Sequence, residues 1–122
     1  MEPRVAEALK TGQVIDITTK GRKSGEPRRI EIVFHALDGH VYISGFPRPE
    51  KRNWLANLEA NPSFTFHLKQ DVVADLPAVA RPITDPAERR AVLQHVSRTW
   101  DRNDIDVMVA QSPLVEVTFP DA

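Results

Sequence analysis

Arg28-Arg29-Ile30-Glu31-Ile32-Val33-Phe34-His35-Ala36-Leu37-Asp38-Gly39-His40-Val41-Tyr42-Ile43-Ser44 is the stretch that decides the fold. Ile30, Ile32 and Phe34 alternate with Arg29, Glu31 and Val33, the period-two pattern of a half-buried strand. Asp38-Gly39 is a tight hairpin signal, because both central residues of such a turn take positive φ. His40 to Ser44 is the return strand. The pair is antiparallel, since a parallel neighbour would need a long crossover in place of two turn residues.

The rest of the chain extends this pattern. Upstream, Val5 to Lys10 forms a short amphipathic helix that Thr11-Gly12 stops, and the β-branched run Gln13 to Thr19 is a strand. Lys20 to Pro27 holds Gly21, Gly25 and Pro27 and no apolar residue, so it is a loop. Downstream, Pro47 and Pro49 flank a stiff loop. Lys51 to Ala60 is a helix with Trp54, Leu55 and Leu58 on one face, and Asn61-Pro62 ends it. Ser63 to Leu68 alternates as a strand. Val72 to Arg81 is extended, with Pro77 pointing to an edge or a bulge. Asp85-Pro86-Ala87-Glu88 starts a helix that runs to about Arg98: Asp85 caps, Pro86 suits the first turn and Glu88 completes a capping box. Asn103 to Ala110 is a second short helix, and Leu114 to Phe119 a closing strand. The expectation is an α+β fold, a mainly antiparallel six-stranded barrel with three or four flanking helices, as one domain over residues 1–122.

Composition narrows the function. With 41% apolar residues the chain is not disordered, and no apolar run approaches the ~18 residues of a membrane span. Met1-Glu2-Pro3-Arg4 lacks a secretory signal's apolar core. Cysteine is absent, which removes disulfides, thiolate nucleophiles and Cys-based zinc sites, and a cytosolic setting is expected. Net charge is −1, so a nucleic-acid binder is not expected. Residues 1–70 carry a net +3 and residues 71–122 a net −4. Half of the basic groups fall in two short segments, Lys20, Arg22, Lys23, Arg28, Arg29 and then Arg48, Lys51, Arg52.

Two segments can carry chemistry. In Thr18-Thr19-Lys20-Gly21-Arg22-Lys23-Ser24-Gly25-Glu26-Pro27-Arg28 the glycines let backbone approach a ligand, while Arg22, Lys23, Arg28 and Ser24 supply donors for a phosphate or carboxylate. As bare composition the stretch is first a charged hairpin tip and second an anion site. In the other, Gly45 at a strand end permits close approach of a flat ring, and Trp54 and Asn57 share a helix face. The bland alternative is a core indole and a buried structural amide. His35, His40, His67 and His95 fall on separate elements without metal-ligand spacing, and His35 and His67 read as strand residues with ordinary hydrogen bonds. No acid, base or nucleophile constellation stands out, which suits a cofactor that brings its own reactivity.

Together the Thr18–Arg28 motif, the Ser44-Gly45 strand end and Trp54-Leu55-Ala56-Asn57-Leu58-Glu59-Ala60-Asn61-Pro62 resemble the deazaflavin-dependent nitroreductase family of split β-barrel, F420H2-dependent oxidoreductases. The likeness covers Val14 to Pro62 best. It implies a split barrel holding coenzyme F420 in a groove. Arg22, Lys23, Ser24, Gly25 and Arg28 would grip the phosphate and acidic tail. Trp54, Asn53 and Asn57 would line the part nearer the ring, and Ser44, Gly45 and Arg52 complete the cofactor-binding set. It implies hydride transfer from the reduced deazaflavin to a small activated alkene, quinone or nitro compound, with no side chain assigned as catalytic. The family often has Lys where this chain has Gly45, and Arg48, Lys51 and Arg52 are the candidate replacements. Tyr42 is the one tyrosine, where the family's characterised nitroreductases carry several at the substrate side. A non-catalytic carrier for F420, FMN or heme is the alternative reading. The face of Ile30, Ile32 and Phe34 can serve a core or a homodimer.

Overall fold

The structure, a computed structural model, describes residues 1–120. Alternation sets the wall. Along β1 (Val14–Lys20) the inward residues are Ile15, Ile17 and Thr19, all buried, and their neighbours are half-exposed. β2 (Pro27–Leu37) turns through Asp38-Gly39, at φ 52° and 80°, into β3 (His40–Ser44). β4 (Ser63–Lys69), β5 (Val73–Pro82) and β6 (Leu114–Thr118) complete a closed antiparallel barrel in the order β1-β2-β3-β6-β5-β4. Phe34 and Phe66 meet edge to face in its interior, beside Ile15, Ile17, Ile43 and Leu68.

Four helices flank the barrel. α1 (Pro3–Ala8) starts two residues earlier than its apolar pattern, because Pro3 suits the first turn and the Glu2 carboxylate accepts from Arg4 N and Val5 N. α2 (Asn53–Ala60) sends Trp54 and Leu58 into the barrel core. α3 (Pro86–Thr99) and α4 (Ile105–Gln111) cover the outer wall, where Val92, Leu93, Val96 and Met108 pack on Tyr42, Ile83 and Leu114. Asp85 caps α3 as expected, accepting from Glu88 N at 2.9 Å. The Glu88 side chain does not close a capping box; its carboxylate binds Arg81.

The split lies in β2. Pro27 to Val33 pair with β1, and Phe34 to Leu37 pair with β3. Phe34 alone bridges the change, its N–H reaching the Gln13 carbonyl at 3.1 Å. β3 therefore leaves the first half of β2 uncovered, and α2 stands at that end of the barrel. Pro77 sits where β5 has one neighbour: it faces Thr65 of β4, while pairing with β6 begins at Val79. A missing N–H costs nothing on the open side. No helix is long and apolar enough to cross a membrane, among the described residues.

Candidate functional site

The loop between β1 and β2 is held tightly by its own backbone. Gly21 N donates to Glu26 O and Gly25 N to Gly21 O, both at 2.8 Å, and Glu26 N donates to Ser24 Oγ at 3.1 Å. Gly25 takes φ +73°, where a side chain strains the turn. Gly21 is buried, and a Cβ there would stand 2.8 Å from Ser24 Oγ and 3.1 Å from Glu26 O.

α2 anchors the loop. The Asn57 Oδ1 atom accepts from Arg22 N at 3.1 Å and Arg22 Nη1 at 2.9 Å, while Asn57 Nδ2 donates to Thr19 Oγ1 at 3.1 Å. Arg22 Nη2 reaches Asn53 Oδ1 at 3.3 Å. Arg28 points the other way along the loop, its Nη2 donating to Ser24 Oγ at 3.1 Å.

Between loop and helix lies a groove of about 550 Å³ lined by Thr19, Gly21, Arg22, Lys23, Ser24, Arg28, Ile30, Asn53, Trp54 and Asn57. Three lining residues are cationic and none is a carboxylate. Lys23 and Arg28 form no ion pair among the described residues. The first turn of α2 also borders it, and no side chain caps that turn. Free cations, hydroxyl donors and an uncapped helix start suit an anion. Trp54 and Ile30 add apolar surface.

The structure thus gathers Arg22, Lys23, Ser24, Arg28, Asn53, Trp54 and Asn57 around one groove and places four other expected residues elsewhere. Gly25 shapes the loop behind it. Ser44 is buried and donates to Pro113 O at 2.7 Å. Gly45 packs against Pro113, and Arg52 Nη2 comes within 3.4 Å of where a Cβ on residue 45 would stand. Arg52 donates to Phe46 O and lines a second cavity, about 340 Å³, on the opposite flank of α2. That cavity mixes Arg48, Lys51 and Arg52 with Glu50 and Glu59; Lys51 pairs with Glu59 at 2.7 Å. Its Arg89 spends the whole guanidinium on the carbonyls of Ile83, Met108, Val109 and Ser112. The opposed charges and spent donors make it the poorer anion site.

Thr19 and Ile30 line the groove without having been singled out, and Gly21, expected only to let backbone approach a ligand, lines it with them. Thr19 carries a sequence signal: it is the third inward position of β1 after Ile15 and Ile17, at the barrel end where the groove opens. Among the histidines, His67 is bonded as expected, to Thr18 Oγ1 and Asp75 Oδ1, both at 2.7 Å. His35 is not: its Nε2 is buried without a partner, beside Trp100 at 5.0 Å between ring centroids. Burial, helped by the His95 charge, pulls its pKa down to about 4.

Residues 1–115 match the family described as F420H(2)-dependent quinone reductase. The chain belongs to that family. It is an F420H2-dependent reductase, and coenzyme F420 is its cofactor. Solved structures of similar fold include a conserved hypothetical protein, Rv2991, from Mycobacterium tuberculosis, at TM-score 0.75 and 18% identity, covering 98% of this chain and 81% of that one. The F420-H2 dependent reductase FDR-A aligns at TM-score 0.62 and 20% identity over 86% of this chain and 93% of its own. A chain described as a domain-swapped dimer also aligns at 0.62 and 20%, over 86% and 79%. At these identities the likeness is one of fold. The groove's chemistry fits an F420H2-dependent reductase: a donor set without carboxylates suits a cofactor with a phosphate and an acidic tail.

Proposed function

We propose that the groove between the β1–β2 loop and α2 holds F420 and that the protein reduces small electron-poor organic acceptors, quinones first, with activated alkenes and nitro compounds as the related classes. The observation that carries this reading is the groove lining, three cations and no carboxylate, in a member of this family. Lys23, Ser24 and Arg28 hold the anionic arm of the cofactor. Trp54 and Ile30 offer the apolar wall. Bound there, the reduced cofactor supplies a hydride. The side chains supply binding, orientation and exclusion of water; no lining residue is an Asp, Glu or His that would exchange a proton near neutral pH. Quinones lead because the family description names them. The single tyrosine, Tyr42, is buried against α3 and α4 and is not offered to a nitro substrate.

The test is a fluorescence titration of F420 and, in parallel, FMN against the full chain. F420 binds more tightly, and Lys23→Ala and Arg28→Ala each weaken it by roughly tenfold, the worth of one charge-assisted hydrogen bond. Unchanged affinity in both variants overturns the site. Turnover with a benzoquinone, an activated alkene and a nitroarene under saturating F420H2 then ranks the acceptors. The neighbour described as a domain-swapped dimer supports pairing of this chain as a homodimer, which sedimentation velocity checks.

A further inference from the structure

Asn57 lines the groove, yet its amide is occupied from within the protein. Its side chain is buried, with the residue only 4% exposed. An amide oxygen has two lone pairs, and here one receives the Arg22 backbone N–H and the other the Arg22 guanidinium. The Nδ2 group donates to Thr19 Oγ1, itself buried at the end of β1. One side chain on α2 therefore ties down the last inward residue of a strand and the first cation of the loop that follows. These three points lie 35 and 38 residues apart in sequence.

We propose that Asn57 is a positioning residue, a neutral lock that holds the β1–β2 loop on α2 so that Lys23, Ser24 and Arg28 face the groove before the ligand arrives. This rests on the reading of the groove as the F420 site. The neutrality matters. A carboxylate at this place would hold Arg22 as well, but it would set a negative charge against an anionic ligand. An amide holds the loop and leaves the cations of the groove uncompensated. Ordering the loop in advance removes an entropy loss from binding, so the lock acts on affinity and not on the hydride step.

The loop reports on the lock directly, because Lys20, Arg22 and Lys23 are tryptic sites within it. The experiment compares the wild-type chain with Asn57→Ala, without cofactor, by amide hydrogen exchange over residues 20–27 and by the rate of tryptic cutting there. F420 titration and turnover of a benzoquinone at saturating F420H2 follow on the same samples. In Asn57→Ala, loop exchange and cutting speed up, F420 affinity falls by roughly tenfold, and kcat at saturation stays within about twofold. Asn57→Asp, which keeps the oxygen that receives Arg22, restores loop protection. Lost affinity with an unchanged loop overturns the proposal, since Asn57 would then act on the ligand itself. A loosened loop with unchanged affinity overturns it too. Where Asn57→Ala does not fold, Thr19→Val removes only the Nδ2 acceptor and gives a smaller change in the same two readouts; no change in either overturns the lock. Arg28→Ala run alongside separates the two claims. If it and Lys23→Ala both bind F420 like wild type, the groove reading fails whatever the loop does.

Discussion

Arg22 and Arg28 are equivalent by composition and differ in use. Arg22 gives its backbone N–H and both guanidinium ends to Asn57 and Asn53, so it serves the loop. Arg28 touches Ser24 Oγ and its own neighbour's carbonyl and remains available to an anion. Arg22→Ala therefore lowers both stability, by about 1 kcal/mol, and F420 affinity; Arg28→Ala lowers affinity with little change in stability. Thermal melts beside the titrations separate the two. His35 gives a pH prediction. Its folded pKa of about 4 lies below the ordinary 6.5, so the unfolded chain binds the extra proton between those values. The stability it permits is complete above pH 6.5 and falls as pH drops toward 4, by up to about 3 kcal/mol. Urea unfolding from pH 7 to pH 4.5 shows that slope in the wild type, and His35→Leu flattens it. None of this was legible in the sequence. His35 and His67 are both strand histidines, and what divides them is a partner: Thr18 and Asp75 for one, the flank of Trp100 for the other.

At the scale of elements, legibility followed the range of the forces involved. Every helix and strand was readable, because periodicity and caps are local. The Asp38-Gly39 turn and the Asp85 cap form from neighbours in sequence and appear as expected. Asp85→Ala costs about 1 kcal/mol, read as a drop in urea midpoint at constant m-value. The second half of the capping box failed because Glu88 met a stronger partner on another element, the Arg81 guanidinium. The candidate site shows the same division. The motif drew attention to the basic loop and the Trp54 helix, which the structure brings to one groove. That α2 grips the loop through the amides of Asn57 and Asn53 was not legible, since Thr19, Arg22 and Asn57 meet only when the barrel closes. Ser44 is a similar case: its hydroxyl is taken by the Pro113 carbonyl, 69 residues on, and this keeps it from the groove.

Ion pairs across the wall brace the barrel in two arcs, each built mainly from charges of one half of the chain. Arg81 on β5 binds Glu88 on α3 and Glu116 on β6, and Glu116 meets His40 on β3. These links brace β3, β5 and β6. The Asp16 carboxylate, whose pKa Lys69 and Arg29 lower, braces β4, β1 and β2 in the same way. On one side of the barrel β2 joins the two arcs, pairing with β1 in its first half and with β3 in its second.

A cylinder opens where a stave is fastened along one side at a time. Each half of β2 has a single neighbour in the wall, so releasing it breaks one ladder where a central strand would break two. Native-state hydrogen exchange in low urea will therefore find residues 27–33 and residues 34–37 opening as separate segments, each below the cost of full unfolding, while β4 exchanges only with the globally unfolded chain. Uniform protection across β2 and β4 contradicts this. The strand that carries Arg28 and Ile30 to the groove is thus also the one expected to come apart first.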